Sequence, residues 1–282
     1  MMKVFSGNKF FVLMLAVVFS GTAVFAQDKS DKQYKKSGFC DNNNYSYNNK
    51  ITFKEMREMT MNAGSLLTVD GQRNGGIRIK GENRSDVLVR ACVQAVGETE
   101  QEAQTAARNI RIETGSTVRA ENTPGDSGWA VSYEILVPRS TNLKLNAQNG
   151  GISISGVDST MDFETQNGGI HLSDVAGNVT GRTTNGGVHV TLSGNSWKGG
   201  GLDLQTTNGG VHLQMPETYA ARIETGTVNG GFKSDIAGLS VERNERQRAV
   251  RLNTDLNGGG APIRLITTNG GVKISAAGGK TL

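Results

Sequence analysis

Asn-Gly-Gly followed by an alternating apolar run occurs six times between Gln148 and Lys273, at Asn149, Asn167, Asn185, Asn208, Asn229 and Asn269. The first five are separated by 18, 18, 23 and 21 residues. So short a period restricts the chain to stacked units, because a single unit cannot bury its apolar face alone.

Aligned on the asparagine, the units form columns. The third residue after it reads Ile152, Ile170, Val188, Val211, Phe232, Val272, and the fifth reads Ile154, Leu172, Val190, Leu213, Ser234, Ile274. The sixth before it reads Leu143, Met161, Val179, Leu202, Ile223, Ile263, and the fourth Leu145, Phe163, Gly181, Leu204, Thr225, Leu265. Period-2 alternation on both sides of a turn describes two half-buried strands per unit. The second before it is Ala147, then Thr165, Thr183, Thr206, Thr227 and Thr267, a β-branched ladder at the edge of the turn. Antiparallel meanders have no need to repeat one residue type at one position, whereas consecutive parallel coils put like over like about 4.8 Å apart. The expectation is an all-β protein whose residues 141–282 form a parallel β-helix, right-handed by the chirality of parallel crossovers. Asn-Gly is expected to make each turn because both residues tolerate positive φ, and stacked Asn side chains can hydrogen-bond from coil to coil. Ser193 to Leu202 reads as a loop inserted between coils, and the charged run Ser240 to Arg251 as a solvated excursion.

Residues 51–140 read as a smaller β-rich region. Strands are expected near Leu66–Val69, Ile77–Lys80, Val87–Ala95, Ile110–Ile112, Thr117–Ala120 and Ala130–Val137, with a helix at 99–109 capped by Thr99 and Glu102. Asn74-Gly75-Gly76 resembles the later units after its turn but not before it, and reads equally as a first coil or a hairpin.

Lys3 and Lys9, the apolar run Phe10–Phe19 and Val24-Phe25-Ala26 before Gln27 read as a signal peptide over 1–26, followed by a polar leader over 27–50. The mature chain is expected in the periplasm, secreted or at the cell surface, with no integral membrane segment. Removing the two signal-peptide lysines lowers the formal charge from +4 to +2, which gives no reason to expect nucleic acid as a partner. Cys40 and Cys92 are the only cysteines. In an oxidising compartment they read as a disulfide tying the leader to the first sheet, because Cys92 faces away from Val87, Val89, Ala91 and Val93; the alternative is two unpaired thiols.

The exported start, the run Glu98-Thr99-Glu100-Gln101-Glu102-Ala103, the strand Tyr133-Glu134-Ile135-Leu136-Val137-Pro138-Arg139 and the serial Asn-Gly-Gly units resemble the family of bacterial exported β-strand-repeat proteins named "putative adhesin". The resemblance covers Ile51 to the end. It implies a repeat fold and brings no catalytic residues with it.

Gly125-Asp126-Ser127-Gly128 matches the nucleophile motif of trypsin-like proteases, but all three histidines follow it, so it reads as a turn. Carbohydrate-active β-helices set paired carboxylates on adjacent coils. Here the outward column three residues before each Asn is Asn146, Glu164, Arg182, Gln205, Gly226, Ile266, whose one acid sits beside a base and predicts a Glu164–Arg182 ion pair. The fourth residue after each Asn is Ser153, His171, His189, His212, Lys233 and Lys273, so every histidine of the chain shares one column. Stacked in register, His171, His189 and His212 form either a plain exposed ladder or a metal-binding one. No catalytic residue and no cofactor is expected. The leading functional reading is a non-enzymatic, adhesin-like envelope or secreted protein that binds a protein or glycan partner. The alternatives are a carbohydrate-active lyase or hydrolase, and a metal- or pH-responsive envelope protein using the histidines.

Overall fold

The computed structural model describes residues 38–41, 45–122, 128–240 and 249–277. The expected signal peptide, most of the polar leader, the Gly125-Asp126-Ser127 turn and the charged stretch 241–248 lie outside the described residues.

The described chain runs β1 (Ile51–Asn62), β2 (Leu66–Asp70), β3 (Ile77–Glu82), β4 (Asp86–Gly97), α1 (Glu100–Asn109), β5 (Arg111–Thr114), β6 (Thr117–Glu121) and β7 (Trp129–Pro138). The repeats follow as β8 (Asn142–Ala147), β9 (Ile152–Ser155), β10 (Asp158–Thr165), β11 (Ile170–Ser173), β12 (Ala176–Asn185), β13 (Val188–Thr191), β14 (Gly201–Asn208) and β15 (Val211–Met215). The chain closes with β16 (Ala221–Asn229), β17 (Phe232–Ser234), β18 (Val250–Leu256), β19 (Pro262–Asn269) and β20 (Val272–Ala276).

These strands make two ten-stranded sheets. The first has the order β1-β4-β7-β3-β9-β11-β13-β15-β20-β17, and the second β18-β16-β19-β14-β12-β10-β8-β2-β6-β5. Each coil gives one strand to each sheet, and the apolar columns face inwards. Ile152, Ile170, Val188, Val211 and Val272 on the first sheet, and Leu143, Met161, Leu202 and Ile263 on the second, are all at most 2% exposed. The result is a mostly parallel, two-sided β-solenoid. Asn74-Gly75-Gly76 is its first coil, since β2 and β3 pair in parallel with β8 and β9. Both sheets run without interruption through residue 140, the boundary expected between the N-terminal region and the repeats.

Two expectations about the repeat are corrected. No Asn or Gly of the six repeat turns has positive φ, so those turns do not need left-handed backbone; the separate Asn257-Gly258-Gly259 turn before β19 does adopt it. The first glycine is required by closeness instead: a Cβ on Gly150, Gly168, Gly186 or Gly209 would lie 2.0–2.3 Å from the carbonyl oxygen of the equivalent glycine one coil away. Thr165, Thr183, Thr206, Thr267 and Thr227 donate their buried hydroxyls to that same row of carbonyls, each at 2.7 Å. Each such bond contributes about 1 kcal/mol. The threonine column is therefore a hydrogen-bonded strut as well as a β-branched edge.

The second correction concerns order. The Asn side chains bond in the series Asn74, Asn149, Asn167, Asn185, Asn208, Asn269, Asn229, with Nδ2 to Oδ1 distances of 2.7–3.2 Å. The last coil in sequence is thus inserted between the two before it. Its inward residues Ile263, Leu265, Val272 and Ile274 are all apolar and at most 2% exposed, whereas the displaced coil carries Thr225 and Ser234 in those columns. The more apolar coil takes the interior position and the more polar one takes the end, where β18 covers β16 as an antiparallel strand.

The other end is closed similarly. β1, which the sequence reading did not anticipate, pairs antiparallel with β4 over all twelve of its residues. Its alternating Met, Glu and Arg are half-exposed on both faces, so it lacks the clean period of a buried strand. α1 has Thr99 as N-cap, its Oγ1 accepting from the Glu102 amide at 3.2 Å, and buries Ala103 and Ala107. The inserted loop after β13 is anchored by Trp197, 7% exposed, whose indole donates to the Gly177 carbonyl at 2.9 Å. Gly181 breaks the apolar column because the Phe163 ring fills its side-chain space, 2.1 Å from where a Cβ would stand.

Candidate functional site

Strand register carries one transverse row of side chains across the whole outer face of the first sheet. In spatial order it reads Glu58, Arg90, Glu134, Arg78, Ser153, His171, His189, His212, Lys273, Lys233. The histidine column is the middle of this row. Arg78, the fourth residue after Asn74, extends it into the first coil, a continuation that aligning Asn74-Gly75-Gly76 with the later units would have found.

At the β1 end the charges are satisfied. Glu134 is 2% exposed and meets Lys80 Nζ at 2.7 Å, Arg90 Nη1 at 3.2 Å and Arg78 Nη1 at 3.5 Å; Arg90 Nε also meets Glu58 at 3.1 Å. Burial alone would raise the Glu134 carboxyl, but the hydrogen bonds and charges of Lys80 and Arg90 outweigh it and hold the group below the usual carboxylate range. Phe39 and Cys40 of the leader pack over this end. Phe39 is 5% exposed and lies with its ring centroid 5.5 Å from the Arg78 guanidinium carbon. Cys40 is disulfide-bonded to Cys92, with the Cα atoms 5.3 Å apart, and Lys54 Nζ donates to the Cys40 carbonyl at 3.2 Å.

At the β17 end the cations lack such pairing among the described residues. Neither Lys233 nor Lys273 forms an ion pair among the described residues. The second glycines of the turns, Gly187, Gly210, Gly271 and Gly231, lack side chains beside them and so floor an open groove of about 450 Å³ walled by His189, His212, Lys273 and Lys233. His171 and His189 stack with ring centroids 4.9 Å apart and planes 5° from parallel, while His189 and His212 meet edge-on at 5.7 Å. His212 Nε2 lies 3.0 Å from the Ser275 hydroxyl. Burial and the neighbouring His189 lower the His171 pKa, and burial, His189 and Lys273 lower that of His212 against a smaller opposing pull from Asp235.

The structure brings the three histidines together in register, but not around a point. Two parallel rings hold their nitrogen lone pairs side by side, which does not converge on one ion. Among the described residues no group of three or more His, Cys, Asp or Glu is placed to hold a metal. On the second sheet Glu164 and Arg182 are register neighbours, yet the expected ion pair does not form among the described residues; ionic contacts on that face include Arg264 to Asp203 at 2.7 Å and Arg222 to Asp255 at 2.9 Å. No helix among the described residues is long and apolar enough to cross a membrane.

A family model described as Toastrack DUF4097 matches residues 100–275. The chain belongs to this family. The Toastrack match begins with α1 and ends within β20, so it takes in every repeat from β8 onward and the whole groove, while β1 to β4 and the leader precede it. No curated protein matches the sequence. Among solved structures the chain is similar to a "putative cell adhesion protein" from Clostridium sporogenes, at 12% identity and a TM-score of 0.39 over 79% of this chain and 100% of that one. It is also similar to a "putative adhesin" from Bacteroides fragilis, at 9% identity and a TM-score of 0.40 over 80% of this chain and 97% of that one. A third is a "putative lipid binding protein" from Parabacteroides distasonis, at 9% identity and a TM-score of 0.31 over 82% of this chain and 98% of that one.

Proposed function

We propose that this Toastrack protein is a non-enzymatic, exported binding scaffold of the cell envelope or cell surface, working in the manner of an adhesin. The observation that carries the reading is the long transverse row on the first sheet, which offers a regular line of polar and cationic side chains on a rigid support. The sequence features of a signal peptide at 1–26 and the Cys40–Cys92 disulfide both suit an oxidising compartment. The polar side chains of the repeats go largely into the stack itself: the Asn ladder and the Thr struts hold coil to coil, which favours a presenting surface over a reaction centre. The test is retention of the fluorescently labelled mature protein, residues 27–282, on intact bacterial and host cells, together with an assay for new reducing ends on acidic polysaccharides. Saturable retention without cleavage is expected. Absence of retention on any cell surface, or turnover of a polysaccharide, overturns the proposal.

A further inference from the structure

We infer that the groove beside His189, His212, Lys273 and Lys233 binds a linear acidic polysaccharide of uronate type laid along the stack axis, an inference that rests on the binding-scaffold reading and names its partner. Four features of the groove select this ligand. Its wall carries two ammonium groups without carboxylate partners among the described residues, so the missing countercharge is anionic. Each wall residue belongs to a different coil, so cationic or protonatable groups recur about every 4.8 Å; same-side carboxylates of an extended polyuronate, two rings apart, recur at about twice that spacing and so meet every second coil. Same-face side chains of an extended acidic peptide recur at about 6.6–6.8 Å instead, and fall out of step within two coils.

The third feature is length. Gly187, Gly210, Gly271 and Gly231 belong to four adjacent coils and give the groove about 450 Å³, room for a short run of sugar rings and not for a folded surface. The fourth is composition: the wall has imidazole and ammonium groups and no Trp or Tyr, so a neutral sugar would find no stacking platform, while uronate carboxylates find donors. The same track continues to the first coil, where Phe39 lies over Gly76 and Gly151 and leaves only about 200 Å³. The chain's own leader therefore covers one end of the track and leaves the other end for a ligand.

Calorimetric titration of the mature protein with oligogalacturonates of two to six units tests this. Binding is expected to strengthen up to about four units, weaken as salt rises, and drop about tenfold or more in the Lys233→Ala, Lys273→Ala double variant. Gly231→Val should abolish it while leaving the melting temperature unchanged, because a Cβ at Gly231 meets nothing within 4 Å. Lys144→Ala, on the outer face of the second sheet, serves as the control and should change nothing. Neutral galactan should not bind. Equal affinity for poly-glutamate, for anionic lipid vesicles or for neutral galactan overturns the inference, as does oligogalacturonate binding that survives both groove variants, or no binding at all. If labelled protein is retained on cells but neither polygalacturonate nor the double lysine variant reduces retention, this inference fails while the scaffold reading stands. Loss of all retention sinks the scaffold reading itself.

Discussion

The two ends of one row of side chains on the first sheet carry similar numbers of basic groups but handle them differently. At the β1 end Arg78, Lys80 and Arg90 surround a buried carboxylate, and a disulfide-tethered Phe39 packs over them. At the β17 end Lys233 and Lys273 stand side by side beside an open groove, with histidines next in line. The backbone, the glycine track and the strand spacing are the same at both. A repeat therefore fixes where side chains point, while the residue placed at each point decides whether the face is sealed for stability or left available for binding.

Removing the tether should have the largest effect. The disulfide spans a sequence separation of 52, for which chain-entropy arguments give about 4 kcal/mol. The Cys40→Ser, Cys92→Ser variant should accordingly lower the urea midpoint and expose Phe39 to quenchers; an unchanged midpoint would separate the leader from the sealed end. Next in size is Glu134→Ala, which leaves a cluster of cations around a hole. Because Arg78 and Lys80 are 48% and 42% exposed, the loss should be about 2 kcal/mol, short of the value for a fully buried pair. Lys233→Ala at the opposite end should stay within about 0.5 kcal/mol. Similar losses in the two variants, read from urea denaturation, would erase the distinction between the ends.

Acidity should act on the ends differently. His171 and His212 have folded-state pKa values below the ordinary imidazole value, so the unfolded chain takes up protons first. Stability is complete above about pH 6.5 and declines slightly as pH falls through that value towards the lower folded pKa. Glu134, depressed in the folded state, keeps its contribution over this range and loses it only below the usual carboxylate range. A melting temperature that rises between pH 8 and pH 5 would contradict the stacked register of the histidines. Oligogalacturonate binding should move the opposite way and tighten at pH 5.5 relative to pH 8, since protonating His212 and, one coil beyond the groove wall, His171 adds positive charge beside Lys233 and Lys273. Binding that is independent of pH would confine the ligand to the two lysines.

The columns of the repeat were legible because alternation and period are local properties, recoverable from one strand and its turn. The histidine column was legible for the same reason, as was the outward placement of Cys92. Its continuation through Arg78 to Glu134 was harder to see, because that end of the row is built from strands that do not repeat. β1 was missed because an edge strand with both faces half-exposed shows no clean alternation.

By itself the sequence determined that the units stack, which side chains point inwards, and that every imidazole lies on one outer face, since these follow from period and covalent alternation. The tertiary structure alone decided which coil lies against which, and why the turn glycines are needed. Inserting Asn269 between Asn208 and Asn229 is a competition between whole coils for a buried position, won by the one with Leu265 and Ile274 where the other carries Thr225 and Ser234. The first glycines are dictated by a carbonyl from a neighbouring coil, often far along the chain, and a contact of that kind exists only once the coils have met.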